Sequence, residues 1–289
     1  GGAYPPGSTF KMIPAAAGLE EGKIDAEKTV EDTGVLRVGE WSYANWYWTD
    51  YGRTEGMVNL VKAIQRSNDI YFYKVGEWVG IRDLMDWAHK FNIGQKTGID
   101  LPGEVTGLLP SPEWKEKVKG ESWFLGNTYH VAIGQGDLTA TPLQVAVETA
   151  VIASGGKLCT PHLSLTSEVG SAETSEVDNC QRLDISHDHI NLINQGMIAA
   201  CAEGGTAFPF FEMNEDGRRV ACKTGTAEIN DHSDDTHAWF TLFYQPRCLK
   251  TSEVPGTGSC EVDSQQEVVI TVLLERGGSG SYDAAPVAK

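Results

Sequence analysis

The chain has 289 residues, 40% of them hydrophobic, and a formal net charge of −17. That length and apolar content allow one large globular core. The acidic balance argues against nucleic acid as a partner and against a polybasic membrane contact, and no apolar run of about 18 residues is present to span a bilayer.

In chain order, Pro5, Pro6 and Gly7 break any preceding helix, and a helix is predicted from Ser8 to about Gly18 with Met12, Ala15, Ala16 and Leu19 inward. Residues 29–56 read as turn-rich and carry Trp41, Tyr43, Trp46, Tyr47, Trp48 and Tyr51, which line a cleft, fill core or stack on glycan. Val58 to Ser67 is predicted helical, with Val58, Val61, Ala63 and Ile64 recurring near helical spacing. Helices are also predicted over Ile70–Val79 and Ile81–Phe91, whereas Pro102 to Lys119 reads as loop. A helix from Thr141 to Ser154 takes Pro142 in its first turn, and one from Asp188 to Ala202 stops before Gly204-Gly205. Three strands close the chain, at about 219–228, 237–245 and 267–275, joined by loops short enough for antiparallel hairpins. The apolar run Val268, Val269, Ile270, Val272, Leu273 and Leu274 reads as a central strand covered on both faces.

Ser8 and Lys11 stand three residues apart, so a helix beginning at Ser8 puts them on one face. A serine hydroxyl is a poor nucleophile until a base takes its proton, and a lysine of lowered pKa can be that base. A helix N-terminus at Ser8 also favours developing negative charge. Two further motifs follow. Ser67-Asn68-Asp69 precedes the aromatic run Ile70-Tyr71-Phe72-Tyr73, and Lys223-Thr224-Gly225-Thr226 follows the β-like Val220-Ala221-Cys222.

Ser-x-x-Lys, then Ser-x-Asn or Ser-x-Asp, then Lys-Thr-Gly resembles the signature of penicillin-binding proteins and serine β-lactamases. Ile133-Gly134-Gln135-Gly136, Thr139-Ala140-Thr141-Pro142, Thr97-Gly98-Ile99-Asp100 and Gly204-Gly205-Thr206-Ala207 also resemble segments of penicillin-binding transpeptidases. Tyr4-Pro5-Pro6-Gly7-Ser8 and the second motif look most like the class B, elongation-type members, and the resemblance runs from Tyr4 to about Pro286. It implies an α/β (α+β) fold, a five-stranded antiparallel sheet covered by helices on both faces plus a helical lobe. It also implies that residues 1–289 are one transpeptidase domain, cut from a longer chain with an anchor, a pedestal and further strands before Gly1 and a helix after Lys289.

The implied activity is peptidoglycan D,D-transpeptidation. Ser8 attacks the carbonyl between two D-alanines of a stem peptide, and an amine from a neighbouring stem peptide resolves the acyl-enzyme. β-Lactam antibiotics acylate the same serine. By resemblance, Lys11 is the base, Ser67 relays a proton with help from Lys223, and the backbone N–H groups of Ser8 and Thr226 form the oxyanion hole. Lys223, Thr224 and Thr226 suit the substrate carboxylate, Gly225 lets substrate lie flat on the strand, Asn68 is a substrate-binding residue, and Asp69 belongs with the catalytic residues. Many relatives carry Asn where Asp69 stands, and an ionised Asp accepts but cannot donate. Asp69 also favours protonated Lys11, with Lys223 acting the other way. The expected partners are stem peptides and other membrane proteins of cell-wall elongation, on the extracytoplasmic side of the cytoplasmic membrane in a bacterial envelope. A serine β-lactamase and a β-lactam sensor or non-catalytic scaffold are the alternatives on the same fold.

No cofactor is expected. Some elongation-type relatives bind zinc between the first two motifs, but residues 12–66 contain neither His nor Cys, so no metal is predicted there. Asp231, His232, Asp234, Asp235 and His237 read as a solvated loop. Six cysteines in a domain facing the oxidising side permit disulfides, and neighbour pairing gives Cys248–Cys260, Cys159–Cys180 and Cys201–Cys222, with free thiols as the alternative.

Overall fold

The computed structural model describes residues 2–164, 179–214, 219–229, 234–245, 248–250, 260–262 and 268–289, with 248–250 and 260–262 described by backbone alone. The chain enters through a 3₁₀ turn, Gly7–Lys11, that runs into helix α1 (Met12–Glu20). Strands β1 (Val30–Asp32), β2 (Val35–Val38), β3 (Trp41–Ala44) and β4 (Gly56–Val58) follow, with short helix α2 (Trp46–Tyr51) between the last two. β1 pairs with β4 and β2 with β3, both antiparallel. The stretch expected to be only turns therefore holds two small ribbons.

The helical lobe comprises α3 (Leu60–Gln65), α4 (Asp69–Val79), α5 (Ile81–Lys90), α6 (Pro112–Lys119), α7 (Leu125–Ala132) and α8 (Pro142–Ala153). α8 starts with a reciprocal cap: Gln144 N–H donates to Thr141 Oγ1 at 3.1 Å and Thr141 N–H to Gln144 Oε1 at 2.7 Å. α6 lies where a loop was expected. Ser111 caps it, Pro112 begins it, and Gly120 ends it in the left-handed conformation. Strands β5 (Lys157–Cys159) and β6 (Cys180–Arg182) pair, and α9 (His187–Ala200) leads toward the main sheet.

That sheet contains β7 (Arg219–Glu228), β8 (Thr236–Gln245) and β11 (Val268–Leu274), in the order β11-β8-β7 and antiparallel throughout. The small pair β9 (Cys248–Lys250) and β10 (Cys260–Val262) stands apart from it. Among the described residues the sheet has three strands where the resemblance implies five. Among the described residues β8 is paired on both sides, while Val268–Leu274 is paired with β8 on one side and its side chains are half-buried or exposed.

Alternation along β8 explains its place. Trp239 and Phe243 face the main core with α1 and α8, while Ala238, Phe240 and Leu242 face a second core with Phe210, Ala284 and Ala285 of the C-terminal segment that ends in α10 (Ala285–Ala288). A hydroxyl ladder, Thr149–Thr241–Thr271 with 2.8 Å steps, gives each of these three hydroxyls a partner between α8 and the sheet.

Cys159 and Cys180 face each other across β5 and β6 and are bonded, and a second disulfide, Cys201–Cys222, ties the end of α9 to β7 beside Lys223. The side chains of Cys248 and Cys260 lie outside the described residues.

Candidate active site

Ser8 does not open an α-helix. It sits second in the 3₁₀ turn, half-buried, and faces a cleft of about 640 Å³. Gly7 has φ +55°, and its N–H donates to Gly134 O at 2.8 Å. A Cβ on Gly7 would come within 3.0 Å of Thr226 O, so glycine lets the turn approach β7. Gly225 answers from the strand: a Cβ there would meet Pro6 O, Thr9 Cγ2 and Trp239 Cβ, each at 3.1 Å. Gly225 is buried against the Ser8 turn rather than open to substrate, which corrects the reading of it as a flat bed for substrate. Trp239 Nε1–H donates to Pro5 O at 2.9 Å and fixes the same turn from the central strand.

Lys11, Ser67 and Lys223 converge beneath Ser8's turn. Both amines are fully buried. Lys11 Nζ donates to Asp69 Oδ1 at 2.6 Å, to Ser67 O at 2.7 Å and to Ser67 Oγ at 3.3 Å. Lys223 Nζ donates to Ser67 Oγ at 2.7 Å and to Thr224 O at 2.9 Å. Ser67 holds φ +53°, a left-handed conformation that is costly for a non-glycine residue and is found where function requires it. Its hydroxyl meets both lysines and its carbonyl meets Lys11.

Burial lowers the Lys11 pKa from the ordinary lysine value, and the Asp69 carboxylate opposes that shift. Lys223 is pushed well below, first by burial and then by the Lys11 charge, with Asp69 again opposing. Two buried amines share one carboxylate, so one amine is driven toward its neutral form. Lys11 is the amine paired with Asp69, and the Ser67 hydroxyl bridges the two amines.

Asp69 is held on both oxygens: Oδ2 accepts from Trp46 N–H at 3.0 Å while Oδ1 pairs with Lys11. Asn68, expected at the substrate, is 1% exposed and caps α4 by accepting Tyr71 N–H at 2.9 Å. Its amide donates to Asp32 Oδ2 at 2.9 Å, so Asn68 is a structural residue here, a second correction. Asp32 and Asn45, which sequence reasoning missed, organise this corner. Asn45 accepts Asp69 N–H at 3.0 Å and donates to Asp32 Oδ2 at 2.8 Å, while Asp32 also accepts Gly34 N–H and Glu55 N–H. The available signals were Asp32-Thr33-Gly34, a turn sequence, and Asn45 at the cap of α2.

The cleft wall carries Ser8, Ser67, Asp69, Thr224 and Thr226. Thr224 Oγ1 lies 2.8 Å from Thr206 Oγ1, and Thr226 Oγ1 accepts Gly280 N–H at 3.2 Å. Tyr43, Trp46 and Tyr51 also line it, while Trp41 is 73% exposed elsewhere. Of the residues read as a solvated loop, Asp235 pairs with Arg276 at 2.6 Å, whereas His237 lies in β8, is buried and packs edge-on against Tyr4, which corrects that reading for His237; Asp231 and His232 lie outside the described residues. No group of three or more His, Cys, Asp or Glu side chains able to hold a metal occurs among the described residues.

A profile of the penicillin binding protein transpeptidase domain matches residues 2–247. The peptidoglycan D,D-transpeptidase MrdA of Haemophilus influenzae is 35% identical over the whole chain, which covers 44% of that protein. MrdA of Acinetobacter baumannii is 33% identical, again over the whole chain and over 42% of the relative. The chain thus spans less than half the length of these curated relatives. Among solved structures, Pseudomonas aeruginosa PBP2 superposes with TM-score 0.79 at 33% identity, covering 99% of this chain and 60% of that one. Helicobacter pylori PBP2 in complex with MreC superposes with TM-score 0.74 at 32% identity, covering 96% of this chain and 47% of the other.

Proposed function

Since the chain belongs to the penicillin-binding protein transpeptidase family, we propose that it cross-links peptidoglycan by serine acyl transfer, with Ser8 as the nucleophile. The observation that carries this reading is the Ser67 hydroxyl held by two buried lysines, 3.3 Å from Lys11 and 2.7 Å from Lys223, on the wall of the cleft that Ser8 enters.

In the resting site the proton sits on Lys11, paired with Asp69, and Lys223 is the neutral amine. A substrate carboxylate arriving at the Thr224 and Thr226 hydroxyls brings negative charge close to Lys223 and raises its proton affinity. The Lys11 proton then passes through Ser67 to Lys223, leaving Lys11 as a neutral base. Lys11 takes the Ser8 proton as Ser8 Oγ bonds to the carbonyl carbon between the two D-alanines. The backbone N–H groups of Ser8 and Thr226 receive the oxyanion. Collapse breaks the C–N bond as Ser67 delivers a proton to the departing D-alanine nitrogen and recovers one from Lys11, which leaves an ester to Ser8 and a neutral Lys11. An amine from a neighbouring stem peptide attacks that ester, its proton passes to Lys11, and Lys11 returns that proton to Ser8 Oγ as the C–O bond breaks. Charge activation by substrate keeps the serine quiet until a carboxylate is bound.

The proposal extends to place and partners. The protein works on the extracytoplasmic side of the cytoplasmic membrane, with other membrane proteins of cell-wall elongation. The Helicobacter pylori complex of PBP2 with MreC supports that partner class. β-Lactams, which carry a carboxylate and a strained amide, acylate Ser8 by the same route.

Intact-mass spectrometry after exposure to benzylpenicillin tests the assignment. Wild type is expected to gain one adduct and Ser8→Ala none. An equal adduct on both proteins removes Ser8 as the nucleophile.

A further inference from the structure

Beyond the lysines the cleft continues along β7. Thr226 and Glu228 emerge on the exposed side of that strand while Ala227 between them is buried, and both line the cleft. Glu228 has no part in the acyl-transfer steps above. His130 and Tyr73 line the same cleft as Glu228. Tyr43 closes the group: its ring stands edge-on at 5.8 Å from Tyr73 and 5.8 Å from His130. His130 is fixed to the strand through its own loop. Its carbonyl accepts Gln135 N–H at 2.8 Å, and Gln135 Nε2–H donates to Thr226 O at 3.3 Å.

This end of the cleft offers a carboxylate, an imidazole and aromatic walls. Lys11 and Lys223 are buried beneath the other end, and Arg66 is engaged with Glu55 at 2.7 Å. His130 is solvent-exposed on the cleft wall, and partial desolvation of its ring there holds the imidazole toward its neutral form, against the pull of Glu228, so the ring presents an acceptor nitrogen rather than a competing cation. Such a set suits a primary ammonium: a carboxylate for its charge, an imidazole nitrogen for a second hydrogen bond, and the half-buried Tyr43 side chain beside them.

Strand spacing says which part of the substrate reaches it. At about 3.3 Å per residue, Glu228 lies about 7 Å beyond Thr226 and about 13 Å beyond Thr224. With the substrate carboxylate at Thr224 and the reacting carbonyl at the Thr226 N–H, an extended peptide places the side chain before the D-alanine pair beside Glu228. Cross-linking consumes an amine of a neighbouring stem peptide. The donor has the same composition, and its amine-bearing residue is the one that precedes the D-alanines. We propose that Glu228, with His130, Tyr43 and Tyr73, forms a subsite for the ammonium-bearing side chain of the donor stem peptide. The inference rests on the reading of Ser8 as the acyl-accepting residue, and it makes Glu228 a specificity residue of that reaction.

Two depsipeptides test it, both ending in D-alanyl-D-lactate and differing only in whether the preceding side-chain amine is free or acetylated. Acylation kcat/KM is measured with the full chain, with Glu228→Gln and with Glu228→Asp, and a benzylpenicillin adduct is recorded on each sample. The wild type is expected to favour the free amine by about tenfold or more. Glu228→Gln should reduce that ratio to about threefold or less, and Glu228→Asp should keep a ratio between the two. A wild type that uses both depsipeptides equally, or a Glu228→Gln protein with the wild-type ratio, overturns the subsite. If the penicillin adduct is present in either case, the acyl-transfer reading stands without it. Absence of both adduct and depsipeptide turnover overturns that reading and the subsite together.

Discussion

Replacing Asp69 by Asn removes the one carboxylate that balances the buried lysines and changes little else. The amide has nearly the same shape and can still accept the Trp46 N–H now held at 3.0 Å. At 2.6 Å the attraction between Lys11 and Asp69 is about 6 kcal/mol gross at an effective dielectric of about 20, before the desolvation that offsets it. Removing one partner of a buried pair costs about 3–5 kcal/mol. Asp69 keeps a little solvent contact, its side chain being 11% exposed, and Lys11 can relieve the loss by giving up its proton. We therefore expect about 3 kcal/mol, a fall in Tm of about 6–9 °C for a chain of this size. The same substitution removes the influence that raises the Lys11 pKa, so the pKa falls further. The rising limb of benzylpenicillin acylation against pH, which follows loss of one proton from the Lys11–Lys223 pair, whose charged forms Asp69 favours on both, should move to lower pH by about one unit or more. Thermal unfolding and stopped-flow acylation from pH 5 to 10 read both effects. A Tm within 1 °C of wild type together with an unmoved limb would refute the pairing argument.

Two further outcomes follow from the packing. Glu148 is fully buried in α8, neither carboxylate oxygen has a hydrogen-bond partner among the described residues, and burial raises its pKa well above 4.5. The folded chain then keeps a proton that the unfolded chain loses above about pH 4.5, so this group's stabilisation is full below that pH and disappears as pH rises through the folded value. Glu148→Met should add about 1–3 kcal/mol at pH 8 and flatten that decline in chemical denaturation; lower stability at both pH 4 and pH 8 would reject this account. Removing the Cys201–Cys222 bridge as a double alanine variant should cost about 3 kcal/mol, since it closes a loop with a sequence separation of 21, and an unchanged calorimetric midpoint would mean it constrains nothing.

The convergence of Lys11, Ser67 and Lys223 beside the cleft that Ser8 lines was legible because residue type and short spacing carry it. What sequence could not show was direction. Asn68 and Gly225 sit inside the motifs, yet one turns inward to cap α4 and the other meets the Ser8 turn. Asp32 and Asn45 reach Asn68 and Asp69 only when the ribbons fold over α4, and no local pattern links them. Val268–Leu274 and the stretch around Trp239 are both apolar runs, and composition does not show which of them is paired on both sides among the described residues. Nothing in the sequence singles out Glu148, and only the packing around α8 shows it fully enclosed.

The central claim is that this site transfers an acyl group from one stem peptide to the amine of another through Ser8. Liquid chromatography with mass spectrometry, applied to uncross-linked pentapeptide-bearing glycan strands incubated with wild type and with Ser8→Ala, measures that directly. The account predicts cross-linked dimers that have lost one terminal D-alanine, formed by wild type alone and abolished by benzylpenicillin. Release of D-alanine without dimers, or dimers of equal yield from Ser8→Ala, would contradict it.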